Sequence, residues 1–122
     1  HKRKEIDLTH GHQKRDFVYV GDVVDAFTII IEHSLIDKSP YSTFEVGYGQ
    51  SVEVREVAEL IKKISGSNTC LNFGKVAYRS DEIMESKANL RHITSLGWSP
   101  KTRIMNGISS ILELYSDKSL ER

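Results

Sequence analysis

Apolar residues recur along this chain with two different periods. Phe17, Val18, Tyr19 and Val20 follow one another without a charged residue, the pattern of a short strand covered on both sides. Asp22 then stands where a helix cap belongs. Beyond it Val23, Val24, Phe27, Ile30 and Ile31 share a helical face that Ala26 and Ile29 widen, leaving Asp25, Thr28 and Glu32 as a narrow polar stripe. Such a balance predicts a mostly buried helix. "FEVGYG" at 44–49 predicts a second strand. "SVEVREVAELIKKISG" predicts a helix capped by Ser51 and ended by Gly66, with Val54, Val57, Ala58, Ile61 and Ile64 facing inward. Glu53 and Glu56 near its start and Lys62 and Lys63 near its end complement the helix dipole.

The second half is less regular. "TCLNFG" at 69–74 alternates like a strand, whereas "VAYRSDEIMESK" at 76–87 has no clean period and predicts an ordered loop or an irregular strand. Asn89 is placed to cap a short helix through Leu96, closed by Gly97, and "GWSP" predicts a turn with a Trp to bury. A last helix from about 102 to 115 puts Ile104, Met105, Ile108, Ile111, Leu112 and Tyr115 on one stripe. The tail "SDKSLER" is polar enough to fray. Strands alternating with helices give an α/β chain, and 122 residues make one unit, 1–122.

Charge narrows the partners. Seventeen Lys plus Arg balance seventeen Asp plus Glu, so the long-range field that gathers nucleic acid or anionic membrane is missing, and neither is an expected partner. No apolar run approaches the roughly 20 residues of a membrane span. The opening "HKRKEIDLTHGHQKR" is basic with no apolar stretch behind it, so no signal peptide is expected. With a single cysteine, Cys70, no internal disulfide forms, and a reducing cytoplasm fits best.

Four features carry candidate chemistry. "GYGQSV" places a glycine pair ahead of a helix, but Val52 stands where a dinucleotide fingerprint has its third glycine, so a Gly-rich turn is the commoner explanation. "HGH" at 10–12 has a spacing that can chelate a metal, yet no carboxylate or thiol cluster lies nearby in sequence. Cys70 sits in a strand-like run, as a small buried apolar residue does. The last feature is a pair of arginine contexts, "KRDF" at 14–17 and "YRSDE" at 78–82. Two guanidinium groups from distant parts of a chain are a normal way to neutralise a diphosphate. By spacing alone the commoner outcome is plainer, with Arg15 paired to a nearby carboxylate and Arg79 to Glu82 as an exposed ion pair.

In order along the chain, "GHQKRDFVYVGDVVDAF", "FEVGYGQSVEVREVAELI", "YRSDEI" and "LGWSPKTRIMNGI" resemble the carboxyl-terminal part of the extended short-chain dehydrogenase/reductase family, the NAD-dependent nucleotide-sugar epimerases and dehydratases. Within it, the resemblance is to bacterial enzymes that make CDP-linked dideoxyhexoses for surface polysaccharide. The resemblance implies that Arg15 and Arg79 contact the diphosphate of a nucleotide-sugar substrate and that Glu82 binds its ribose hydroxyls. Asp16 then orients Arg15 or satisfies nearby backbone. Gly21 departs from the acidic residue often found there, and Ala88 and Asn89 from a usual Asp; neither removes a binding group.

The resemblance also implies an NAD or NADP cofactor for the parent enzyme, a glycine-rich amino-terminal loop to hold it, and a Tyr-x-x-x-Lys pair to move a proton as hydride transfers. Here the tyrosines at 19, 41, 48, 78 and 115 are followed four residues later by Val23, Glu45, Val52, Glu82 and Ser119. The expectation is therefore a substrate-binding portion lacking most of the Rossmann domain, inactive and cofactor-free by itself. A non-catalytic module that binds a nucleotide sugar or a protein is the alternative. If the apolar faces at 23–35 and 104–115 normally meet a sheet outside this chain, the chain alone is expected to self-associate or borrow a partner surface; the parent is expected to be a homo-oligomer, a dimer.

Overall fold

A computed structural model describes residues 4–118. Its elements run β1 (Glu5–Leu8), β2 (Lys14–Asp16), α1 (Val20–Ile36), β3 (Ser51–Glu53), α2 (Val54–Ser65), β4 (Cys70–Phe73), α3 (Arg91–Ser95) and α4 (Ile104–Lys118). The strands form two separate pairs. β1 lies parallel to β4, with Glu5 opposite Cys70 and Leu8 opposite Phe73, and β2 lies antiparallel to β3, with Arg15 opposite Val52. The α/β character expected of the sequence holds, whereas several boundaries shift.

The strand expected at 17–20 instead spans Lys14–Asp16, and α1 already begins at Val20. Backbone pairing explains the shift: the ladder to β3 ends at Asp16, opposite Ser51, and Phe17, Val18 and Tyr19 form the link into α1. "FEVGYG" is not a strand but an irregular stretch pinned from both sides. Ser51 starts β3 rather than capping a helix, and the cap position of α2 falls on Glu53 without a side-chain bond. The free amides at the start of α2 go to backbone carbonyls instead. Val54 N–H donates to Gln13 and Arg55 N–H to Gly11, at 3.0 and 2.9 Å. Gly66 ends α2 as expected, at φ 63°.

Asp22 sits inside the first turn of α1, 4% exposed, and serves the segment ahead of α4. Its carboxylate accepts the backbone N–H of Lys101 and Thr102 at 3.1 and 2.8 Å, while its carbonyl accepts the Trp98 indole N–H at 3.1 Å. This fastens "GWSPKT" to the start of α1. Trp98 is accordingly buried, and with Ala26 and Ile93 it forms the main core cluster, flanked by Ile29, Ile30, Phe44, Val46 and Leu90. Asn89 does act at the start of α3, its Oδ1 accepting the Arg91 N–H at 3.1 Å.

That core covers only one side of α1. Val20, Val24, Phe27, Ile31 and Leu35 are all exposed, against the expectation of a mostly buried helix. α4 extends to Lys118, so the start of the polar tail is helical and the rest of it lies outside the described residues. Cys70 is exposed rather than buried, because it opens the edge pair β1–β4. None of the described helices is long and apolar enough to cross a membrane.

Candidate functional site

The loop 76–87 is ordered, and it is ordered by being laced onto the stretch that runs from the end of β1 into β2. At one end Val76 N–H donates to Leu8 and the Tyr78 hydroxyl accepts the His12 N–H, at 3.1 and 2.9 Å. At the other, Lys14 N–H donates to Met84 and Ser86 N–H to Lys14, at 2.7 and 3.2 Å, a short parallel bridge flanking β2 on the edge that β3 leaves open. Between these ties, Glu82 N–H donates to the Arg79 carbonyl at 3.1 Å and closes a turn over "RSDE".

Arg15 and Glu82 meet as a result, although 67 positions separate them. One terminal nitrogen of Arg15, Nη2, donates to Glu82 Oε1 at 2.5 Å; the other, Nη1, donates to the carbonyls of Ile83 and Lys14 at 2.6 and 2.8 Å. Both side chains are partly sheltered, at 32% and 19% exposure. A guanidinium has five N–H donors, so two remain available to a ligand on an arginine whose orientation is already set. Arg79 is exposed, one turn from Glu82 in the same loop, and makes no ion pair with a described residue. The exposed pair expected by spacing between Arg79 and Glu82 is thus replaced by a sheltered pair between Arg15 and Glu82.

Asp16 does not orient Arg15. Its Oδ1 accepts the Tyr48 N–H at 2.7 Å and its Oδ2 those of Gly49 and Ala88 at 3.0 and 3.1 Å. One carboxylate therefore gathers β2, the glycine stretch and the segment after the arginine loop. The "GYGQSV" fingerprint fails on the same bonds: the amides that would cradle a phosphate are spent on Asp16, and the stretch leads into β3 rather than a helix. Its glycines are there for space. A Cβ on Gly47 would stand 2.5 Å from Asp16 Oδ2 and 2.6 Å from the Ala88 Cβ.

The other candidates resolve into packing. His10 and His12 stack with centroids 6.0 Å apart and lean on Tyr78, and His12 Nδ1 lies 3.3 Å from Glu53. Among the described residues no group of three or more His, Cys, Asp or Glu is placed to hold a metal ion. Sequence reasoning missed the Ile83 carbonyl, and missed a concavity of about 440 Å³ beside the β2–β3 ribbon. Its walls are Phe17, Tyr48, Gln50, Val52, Arg103 and Ile104. Val52 faces Arg15 across the ladder, so alternation along β2 was the one available signal.

Known proteins share this arrangement of segments. The family described as "NAD dependent epimerase/dehydratase family" matches residues 1–47. CDP-abequose synthase of Salmonella muenchen is 43% identical over 111 residues, which are 91% of this chain and 37% of that protein. The chain is thus similar to members of the NAD-dependent epimerase/dehydratase family. Its fold is that of the carboxyl-terminal portion of an extended short-chain dehydrogenase/reductase. UDP-glucose 4-epimerase from Thermotoga maritima, solved with UDP-glucose, superimposes with a TM-score of 0.78 at 28% identity over 97% of this chain and 36% of that one. The UDP-glucose 4-epimerase of Stenotrophomonas maltophila, at 20% identity, shows the shared fold alone, with a TM-score of 0.82 over 97% of this chain and 37% of that one. The chain spans a little over a third of the length of such relatives.

Proposed function

We propose that residues 1–122 form the substrate-binding portion of an NAD(P)-dependent enzyme that acts on a nucleotide-diphosphate sugar in the cytoplasm. The observation that carries this reading is the convergence of Arg15, Glu82 and the Arg79 turn on one edge of β2. Diphosphate and ribose are adjacent groups in a nucleotide sugar, and the residues assigned to them are adjacent here. Arg15 holds the diphosphate with the donors that Glu82 and Ile83 leave available. Arg79 supplies the second positive charge, and Glu82 accepts from the ribose hydroxyls. When bound, the nicotinamide cofactor supplies the hydride acceptor for oxidation at the sugar C4, the step from which epimerisation, dehydration or reduction proceeds. The residues described here bind and orient; in this reading the cofactor loop and the Tyr-x-x-x-Lys pair belong to an amino-terminal portion.

The structure suggests Arg79 as the sharper test. Arg15→Ala also strands the partly sheltered Glu82, mixing stability with binding. Among the described residues Arg79 has no such partner. In the complete enzyme, Arg79→Ala should raise KM about ten- to a hundredfold with little change in kcat or in melting temperature, the scale of one charge-assisted contact of about 1.5–3 kcal/mol. Unchanged KM for Arg79→Ala, measured by steady-state kinetics with the nucleotide sugar varied, would falsify the assignment.

A further inference from the structure

Along the loop 76–87 only Tyr78 and Glu82 are half-buried, and every other residue is exposed. These two bracket Arg79. Glu82 is anchored by Arg15 at one end, whereas Tyr78, immediately before Arg79, is anchored by the "HGH" stretch at the other. Gly11 stands at φ 75° with its carbonyl accepting the Arg55 N–H, and a Cβ there would lie 2.7 Å from the Arg55 Cβ. A side chain does not fit, and the turn leaves the His10 and His12 rings stacked, 9° from parallel. His12 is held from β3: its Nδ1 lies 3.3 Å from Glu53 Oε2, and its backbone N–H donates to the Tyr78 hydroxyl at 2.9 Å. His10 is confined from the other side. Its ring centroid is 6.3 Å from that of Tyr78, and a Cβ on Gly74, at φ 81° just after β4, would come within 2.6 Å of His10 Cε1.

We propose that Tyr78 is a positioning residue for Arg79. Its hydroxyl and ring, clamped by "HGH", fix the stretch of loop that delivers Arg79 to the diphosphate, while Glu82 fixes the far end of the same turn. The inference rests on the diphosphate reading of Arg79, and Tyr78 itself touches no substrate in it. An arginine on a loop held at both ends loses less freedom when a ligand arrives than one on a loop held at a single end. The contact it makes is present in ground and transition states alike, so the clamp acts on KM rather than on kcat.

In the complete enzyme Tyr78→Phe removes one hydrogen-bond acceptor and keeps the ring. It should raise KM for the nucleotide sugar about threefold to tenfold with kcat unchanged, the size of one neutral hydrogen bond. In an Arg79→Ala background it should add nothing, because the residue it positions is gone. Tyr78→Leu, which also loses the contact with His10, should raise KM further, again only when Arg79 is present. Trypsin supplies a readout independent of substrate. Cleavage after Arg79 should become about fivefold faster in Tyr78→Phe, while cleavage after Lys101, whose N–H is held by Asp22, should not change. Where Arg79→Ala raises KM, an unchanged KM in Tyr78→Phe overturns the proposal, and so does a rise of equal size with and without Arg79. Cleavage that speeds up equally at both sites overturns it too, since the loss is then global. Where Arg79→Ala leaves KM unchanged, the diphosphate assignment fails, and cleavage after Arg79 decides the clamp: faster cleavage keeps it and an unchanged rate sinks it.

Discussion

Replacing Asp16 by Asn isolates the bonds that bring the site together. The carboxylate takes Tyr48 N–H on one oxygen at 2.7 Å and Gly49 and Ala88 N–H on the other at 3.0 and 3.1 Å. An amide has the same shape but one oxygen. Turned with that oxygen towards Gly49 and Ala88, it faces Tyr48 donor against donor; turned the other way, it strands two donors. The better choice loses the shortest bond and leaves the other two uncharged. Hydrogen bonds to charged groups contribute about 1.5–3 kcal/mol and neutral ones about 0.5–1.5. One bond lost and two weakened then sum to roughly 3.5–6 kcal/mol, which solvent access to a half-buried side chain lowers to about 2–3. Asp16→Ala forfeits all three and should cost about 4 kcal/mol. Against a typical domain stability of about 5–15 kcal/mol either loss is large. Urea unfolding reports it through the emission of Trp98, the sole tryptophan, 3% exposed in the core. An Asp16→Asn protein with an unchanged midpoint would mean that these bonds do not hold the three segments together.

Gly47→Ala should destabilise by about 1–3 kcal/mol in the same assay, because its Cβ would meet Asp16 and Ala88 at under 3 Å; a neutral result would show that the segments part easily. Calorimetric titration of the isolated chain with NAD should give no stoichiometric heat, since the amides of "GYGQSV" are occupied, and tight binding would contradict that account. Glu82→Gln in the complete enzyme should raise KM less than Arg79→Ala, and its effect should vanish with a substrate analogue lacking the ribose diol. Asp37 is held below the ordinary value of 3.8, first by the Ser39 backbone N–H and then by its hydroxyl, with His33 adding to it. Its contribution to stability is therefore full above that value and lost as pH falls through the lowered one. NMR titration should place its midpoint below 3.8, and Ser39→Ala should move it only part of the way back because the backbone bond remains.

Much of the helical architecture was legible because it depends on local pattern. α2, its Gly66 stop and the Trp98 turn follow from spacing and turn chemistry. What was not legible depends on partners distant in sequence. β1 lies in a stretch that reads as merely basic, and it is a strand because Glu5–Leu8 finds Cys70–Phe73. Asp22 resembles a cap locally, yet its carboxylate is taken by Lys101 and Thr102. The exposure of α1 was missed for the converse reason: periodicity tells which residues are apolar, and the burial of an apolar face depends on a layer that the pattern does not contain.

The Arg15–Glu82 pair can look like evidence for the plainer reading, an arginine already satisfied by a carboxylate. The geometry argues differently. A structural pair gains most when both groups use their full bonding capacity, and Arg15 does not. It spends three donors, two of them on the carbonyls of Lys14 and Ile83, which fix the plane of the guanidinium without neutralising it. A carboxylate supplies a single negative charge, and Arg79, nearby on the same loop, makes no ion pair with a described residue, while Asp81 and Glu82 of that loop balance the two arginines. An orientation fixed before binding reduces the entropy lost when a ligand arrives. If the pair were only structural, Arg79 would be dispensable, and that is why the decisive substitution falls on the residue with no partner rather than on the one with three bonds.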